Sequence, residues 1–300
     1  MKKLADALRA IAPERLKENE PMSRHTTFRV GGPAELMFFP ASAAEVRAAL
    51  DAAREAEVPV HLVGNGSNLL VRDGGLKGLT IALGEPFSEV RVEGSAVIAQ
   101  AGAPLARVAA AAQEAGLSGL EFASGIPGTL GGGCAMNAGA YGGELKDVLE
   151  NAQVLLGGEL RTMNKDELEM GYRTTRVLRE GGIVLEARFV LTPDNREDIA
   201  ARMRELNARR REKQPLNLPS AGSTFKRPEG HFAGALIEGC GLKGCSIGGA
   251  QVSEKHAGFV VNTGGATAAD ILNLIGHVHD VVLRETGVEL EPEVRIIGED

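Results

Sequence analysis

The sequence predicts an α+β chain of more than one compact unit, and three observations carry that expectation. A length of 300 residues exceeds the size at which a single hydrophobic core stops growing. Between residues 42 and 116, apolar runs of strand length alternate with helical stripes. From Leu145 to Pro193 the pattern changes to short β-like runs separated by turn glycines, and a helical stripe resumes only after Pro193.

Taken in order, SAAEVRAALDAAREA (42–56) opens with Ser42 and Glu45 at capping-box spacing, and Val46, Ala49, Leu50 and Ala53 share one face, which predicts a helix. VPVHLVGNGSN, from Val58, reads as a buried strand running into a Gly-rich turn. VIAQAGAPLARVAAAAQEAGL repeats the plan, with Pro104 near a helix start and Gly116 as its stop. NAQVLLGGELRTM and GIVLEARFVLTP read as strands. Asp194 and Glu197 then stand at capping-box spacing before a helix whose stripe is Ile199, Met203 and Leu206 and which ends before Pro215. HAGFVVN reads as a strand, Thr267 and Asp270 cap a long helix stopped by Gly287, and VELEPEVRIIG supplies one or two further strands.

Composition narrows the function. Apolar residues at 43% and charged residues at 24% fit a water-soluble protein, and no apolar run approaches the roughly 20 residues of a membrane span. MKKLADALRA lacks the apolar core of a secretion signal, so a cytoplasmic protein is expected. A net charge of −7, two tyrosines and no tryptophan argue against nucleic acid as a partner. Cys134, Cys240 and Cys245 lack CxxC spacing, and His277 and His279 point to different faces of a helix, so neither a disulfide framework nor a metal site is expected.

Four motifs are candidates for chemistry. In LVGNGSNLLV (62–71), Gly64 and Gly66 suit a turn whose amides cradle a diphosphate, although a tight turn with no ligand is an equal reading. Leu69 stands where the dinucleotide fingerprint needs its third glycine and no helix follows, which disfavours a Rossmann domain. EFASGIPGTLGGGCAMNAGAYGG (121–143) is too apolar for a flexible linker and suits close packing of backbone on a large flat ligand, with a Gly-rich structural turn as the other reading. Gly244-Cys245-Ser246-Ile247-Gly248 matches the hydrolase nucleophile elbow, but the required helix is not expected after Ser246. Arg209, Arg210, Arg211 and Lys213, upstream of PSAGSTFKRP (219–228) and Lys243, are either a solvated helix end or part of an anion site.

The ordered set TTFRVGGPAE, LVGNGSNLLV, SGIPGTLGGGCAMNAGAYG, GYRTTR, PSAGSTFKRP, LKGCSIGGAQVSEKHAGFVVN and LEPEVRIIG resembles the UDP-N-acetylenolpyruvoylglucosamine reductase family, in its type II form. These are flavoenzymes that complete UDP-N-acetylmuramate for bacterial peptidoglycan. The resemblance implies a two-lobed FAD-binding region of the vanillyl-alcohol-oxidase type plus an α+β substrate-binding domain. The expected division is residues 1–57 as lobe 1, joined by the tail 288–300, residues 58–193 as lobe 2, and residues 194–287 as the substrate domain. The short VLREGG after GYRTTR leaves no room for the substrate-capping loop of type I enzymes, which is why the type II form is the closer match.

By the same resemblance, FAD is held non-covalently by Gly64, Asn65, Gly66, Ser67 and Asn68 at its diphosphate. Its flavin is gripped by Ser124, Gly125, Ile126, Pro127 and Gly128 and by Gly131, Gly132, Asn137, Gly139, Ala140, Tyr141 and Gly142. The implied reaction passes a hydride from NADPH, by way of FAD, to the vinyl carbon of a UDP-sugar enolpyruvyl ether. Arg173 and Glu293 match the positions that stabilise the enolate-like species, and Ser223 matches the proton donor. Glu293 must be protonated to donate, which calls for burial. Thr175 stands where the family often has serine. Lys213 is expected either to stabilise the alkoxide of Ser223 or to bind phosphate, and Lys226, Arg227 and Lys243 to bind substrate. A monomer is expected. Two other readings stand beside this one: a carbohydrate oxidase of the same cofactor fold, disfavoured because Ser67 replaces the flavin-tethering histidine, and a nucleotide-binding regulator without turnover.

Overall fold

The computed structural model describes residues 1–300, which form two compact units. One comprises Met1–Leu16, Phe38–Asn65 and Thr80–Arg210; the other comprises Lys17–Met37, Gly66–Leu79 and Arg211–Asp300. Whereas the sequence reading groups 58–193 in one lobe, residues 66–79 fall with the C-terminal tail. The cause is a pairing between distant segments: Arg295–Ile297 lies parallel to Leu69–Val71, and the Arg72 amide donates to the Ile297 carbonyl at 2.9 Å.

In the first unit, α1 (Lys2–Ile11) packs on α2 (Ala43–Glu55). The Ser42 hydroxyl accepts from the Glu45 amide as the sequence suggests, but the capping box is only half formed. The Glu45 carboxylate is taken by the Ala41 amide (2.7 Å) and by both arms of Arg15 (2.5 and 2.9 Å). The heart of the unit is a five-stranded antiparallel sheet in the order 159–164, 149–156, 183–190, 96–100, 90–93. Strands 149–156 and 159–164 are joined at Gly157-Gly158, both left-handed (φ 60° and 84°), which is the tight hairpin turn that matches strand twist.

Alternation along these strands, shifted by one residue at a β-bulge between Val184 and Glu186, sends Val97, Ala99, Val154, Leu156, Val184, Ala187 and Phe189 into one core. That core is covered by α3 (Leu105–Glu114) and by α4 (Leu130–Ala135), a six-residue helix inside the Gly-rich stretch. Cys134 on α4 is wholly buried, which pushes its thiol up to about 12 and leaves it unreactive. After α5 (Arg176–Arg179) and strand 183–190 comes α6 (Arg196–Lys213). Its start differs from the sequence expectation: Asn195, not Asp194, accepts from the Glu197 amide (2.8 Å), while Asp194 pairs with Arg202 (2.5 Å).

In the second unit, α7 (Ala233–Gly239) and α8 (Ala268–Thr286) pack together, and α8 covers a three-stranded antiparallel sheet of Ser246–Ile247, Ala250–Val252 and Val260–Asn262. Thr267 and Asp270 form the full capping box that the sequence predicts, and Gly287 closes the helix at φ 72°. Asp73, distant in sequence, adds a second cap by accepting from the Ala268 and Ala269 amides, both at 2.9 Å. Ile271, Leu274, Val278 and Val282 of α8 meet Phe28, Leu70, Val252 and Val260 in the core. No helix is long and apolar enough to cross a membrane.

Candidate active site

In the first unit the Gly-rich segment is fixed before any ligand arrives. Glu121 begins a 3-10 turn, and its carboxylate accepts from the Gly119 amide (2.7 Å), Ser118 (2.8 Å) and Arg202 (2.8 Å). Burial alone would raise the Glu121 pKa, but these hydrogen bonds outweigh it and hold the carboxyl below its ordinary range. Ser124 donates to the Glu121 carbonyl (2.8 Å) and accepts from Asn207 of α6 (3.1 Å). Asn65 donates to the Pro127 carbonyl, so Gly64-Asn65 lies against Pro127–Thr129.

Further along, Gly131 is buried with its amide donated to Ala101, while Gly132 is exposed. Asn137, which the resemblance places in a flavin-gripping segment, has its side chain turned into the protein. It is 0% exposed, its amide nitrogen donates to Glu144 and Gly171 (both 3.0 Å), and its oxygen accepts from the Lys146 amide (3.0 Å). With every polar atom engaged, Asn137 ties the Gly-rich segment to GYRTTR. Gly139-Ala140 pairs with Gly143-Glu144, presenting Tyr141 and Gly142 at an exposed tip.

Arg173 sits in a tight turn between bridged Gly171 and Thr174 and is held at φ 54°, unusual for a non-glycine residue and characteristic of constrained functional positions. Its guanidinium lies 5.3 Å from the centroid of Tyr172 and donates to the Gly139 carbonyl at 3.4 Å. Thr175 is used structurally: its hydroxyl donates to Ala135 (2.7 Å) and caps α5 through the Leu178 amide (3.2 Å). That short helix and a glycine turn are all that separates Arg173 from the next strand.

In the second unit, Gly66 is left-handed (φ 59°), and a Cβ there would come within 2.0 Å of the His25 carbonyl, so only glycine fits. No hydrogen bond within the chain engages the amides of Gly66 and Ser67, and consecutive unpaired amides in such a turn form an anion-binding concavity. Asn68 donates to the Glu293 carbonyl (3.0 Å), and its own carbonyl accepts from the Arg295 amide (2.9 Å).

The same unit brings Ser223 and Glu293 onto neighbouring segments. Phe225 and Pro292 form an antiparallel bridge, flanked by bonds from the Glu293 amide to Thr224 and from the Lys226 amide to Glu291, each 2.8 Å. Thr224 is fully buried, its hydroxyl accepting from the Val260 amide (2.9 Å), so that Ser223 next to it is exposed and Glu293 is half-buried. Among the expected substrate contacts, Lys226 pairs with Glu291, Lys243 pairs with Glu238 (2.6 Å), and Arg227 stacks 3.9 Å from the Phe232 centroid. Lys213 is exposed at the last residue of α6. Surface pairs of this kind exchange readily for a better anion. Ser246 starts a strand and donates to the Gly244 carbonyl (3.1 Å), which removes the hydrolase elbow.

Comparisons with known proteins match this arrangement. Residues 34–163 fit the model of the FAD binding domain, and residues 214–297 fit that of the UDP-N-acetylenolpyruvoylglucosamine reductase C-terminal domain. The UDP-N-acetylenolpyruvoylglucosamine reductase of Agathobacter rectalis is 54% identical over 95% of this chain and 94% of its own length. The chain belongs to the UDP-N-acetylenolpyruvoylglucosamine reductase family. The reductase of that name from Clostridium botulinum strain Hall is 52% identical over 94% of this chain and 92% of its own. The crystal structure of the reductase from Thermus caldophilus superposes with a TM-score of 0.80 at 37% identity, covering 92% of this chain and 97% of that one. Alkyldihydroxyacetonephosphate synthase, 17% identical with a TM-score of 0.51 over 64% of this chain and 41% of its own, shares the fold alone. As in its family, the chain joins an FAD-binding region of the vanillyl-alcohol-oxidase type to an α+β domain, and it is a flavoprotein oxidoreductase of peptidoglycan synthesis.

Two observations fit the expected cofactor, one within each unit: the unpaired Gly66 and Ser67 amides in the second, and Arg210 in the first. The latter is a partly buried guanidinium beside Gly125 with no hydrogen-bond or ion-pair partner in the chain. Arg210 is a residue that the sequence reading left inside a generic basic cluster. The signal was present, because 199, 203, 206 and 210 continue one helical stripe.

Proposed function

We propose that this protein reduces the enolpyruvyl group of UDP-N-acetyl-3-O-(1-carboxyvinyl)-glucosamine to UDP-N-acetylmuramate, in the cytoplasm, as a monomer, with NADPH as reductant and non-covalent FAD. FAD when bound supplies the hydride relay between NADPH and the substrate. The observation that supports the reading is the backbone pairing of Thr224-Phe225 with Pro292-Glu293, by which the segment carrying Ser223 runs beside the segment carrying Glu293, from opposite ends of the C-terminal domain.

Hydride arrival at the vinyl carbon leaves negative charge on the neighbouring carbon and its carboxylate. Arg173, preorganised by its turn, offers a planar fork of donors to a carboxylate of that kind. Ser223 delivers the proton to carbon; an alcohol suffices because the carbanion is far more basic than an alkoxide that a cation stabilises. Lys213 either provides that cation or binds phosphate. Glu293, when protonated, donates to the enolate oxygen. Ser67 offers no tether for the flavin, which disfavours the covalent carbohydrate oxidases.

The test is anaerobic. Purified protein carrying FAD is mixed with NADPH and its flavin absorbance followed; bleaching is expected, with full recovery when the enolpyruvyl substrate is added. Flavin that is bleached by sugars in place of NADPH would support an oxidase, and flavin inert to NADPH would support a regulator.

A further inference from the structure

Just past α6 the chain makes two tight turns, with the Leu216 amide donating to the Gln214 carbonyl (2.9 Å) and the Leu218 amide to the Pro215 carbonyl (3.1 Å). These turns form one wall of a cleft of about 650 Å³ that lies wholly within the second unit. The facing wall runs from Gln251 to Lys255, where the chain leaves the three-stranded sheet. The Lys255 Nζ donates to the Arg211 carbonyl at 2.6 Å, which fastens the two walls together and sets Lys255 beside Arg211. None of the residues expected to bind or act on the substrate lines this cleft.

Its polar groups are unevenly satisfied. The Gln214 Oε1 is buried without a hydrogen-bond partner, and a buried acceptor with no donor is costly. Neither the Arg211 guanidinium nor the Lys255 ammonium has a carboxylate partner, although both residues are exposed on a chain rich in acidic groups. Ser253 is only 3% exposed, and its Oγ accepts from the Lys255 (3.2 Å) and His256 (3.3 Å) amides, which leaves its proton for a further acceptor. Leu216 on the opposite wall is 51% exposed. Two neighbouring cations call for an anion, the orphaned oxygen calls for an N–H or O–H donor, and the leucine calls for an apolar face. Inorganic phosphate meets only the first demand, whereas clefts of about 300–1,000 Å³ take ligands of nucleotide size. Glu254, an exposed carboxylate on the same lining, disfavours a second anionic group and suits ribose hydroxyls.

We propose that this cleft is a second nucleotide site, distinct from the residues expected to bind substrate. Arg211 and Lys255 hold the phosphate of a nucleoside monophosphate, and Gln214 accepts from its base, which lies against Leu216.

Protein carrying FAD is titrated calorimetrically with UMP, AMP and inorganic phosphate, and the titrations are repeated on Arg211→Gln/Lys255→Gln and Gln214→Leu proteins. At least one of the two nucleotides is expected to bind the wild type, with phosphate about tenfold weaker or more. The double variant should weaken nucleotide binding by about tenfold or more, and Gln214→Leu by about fivefold. Absence of nucleotide binding, wild-type affinity in the double variant or in Gln214→Leu, or phosphate bound as tightly as nucleotide overturns the proposal. So does nucleotide binding that Arg227→Ala abolishes and the double variant leaves intact, since the nucleotide then occupies the substrate contacts. Arg211 and Lys255 are exposed, so the double variant should fold; if Gln214→Leu does not, as judged by circular dichroism, the double variant alone decides.

Discussion

Asn137 offers the sharpest check on how the Gly-rich segment is held. Replacing it with alanine removes three hydrogen bonds, to Glu144, to the Gly171 carbonyl and from the Lys146 amide, all at 3.0 Å and all around a side chain that is 0% exposed. At a net ~1 kcal/mol each the loss is about 3 kcal/mol. Asn137 is also left-handed (φ 46°), a conformation that costs alanine about 1 kcal/mol more, so Asn137→Ala should lose about 4 kcal/mol. Asn137→Gly loses the same bonds without the steric penalty and should fall between the two. For a domain of this size the alanine variant should melt about 10 °C lower.

The assay is thermal and urea unfolding of the FAD-free protein, followed by circular dichroism. Working without FAD matters, because a residue that only touched the cofactor would leave that protein's stability unchanged. A loss below about 1 kcal/mol, or an alanine variant more stable than the glycine variant, refutes the argument. A normal melt combined with weakened FAD binding would return Asn137 to the role of a direct ligand.

Three further outcomes follow from other parts of the molecule. Glu121→Gln should cost about 1–3 kcal/mol near neutral pH, because Arg202 and two further donors face a side chain that is only 11% exposed. Since the folded carboxyl lies below its ordinary value of 4.5, the wild-type advantage is full above that value and fades as the pH falls through the folded pKa; a gap in urea midpoints that widens below pH 4.5 would contradict the sign. Asp73→Ala should destabilise by about 1–2 kcal/mol through loss of the second cap on α8, checked by the same unfolding curves. Ser223→Ala should leave flavin reduction by NADPH nearly unchanged and slow reoxidation by the enolpyruvyl substrate by orders of magnitude in stopped flow, and equal slowing of both halves would remove Ser223 as proton donor.

Local chemistry accounts for what could be read without coordinates. Caps and stops such as Thr267, Asp270 and Gly287 act within a few residues of one another, and the double-glycine turn at 157–158 declares its hairpin, so helix and strand positions were legible. Near misses have the same local cause: Asn195 and Asp194 are equivalent caps by type, and only Arg202, reaching back from the helix, draws Asp194 away. The candidate residues Ser223, Arg173 and Glu293 could be named from motifs, but not their surroundings. That Glu293 pairs with Thr224, that the C-terminal tail runs beside Leu69–Val71, and that Asp73 caps α8 are each decided by strand pairing or packing between segments far apart in the chain. Burial gave the remaining assignments: it made Asn137 a brace and Thr175 a helix cap, and it left Arg210 partly buried beside Gly125 with no protein partner for its guanidinium. Sequence fixes which groups are available, whereas only the folded chain decides which of them lose water, and loss of water is what makes a hydrogen bond obligatory and a lone charge call for a ligand.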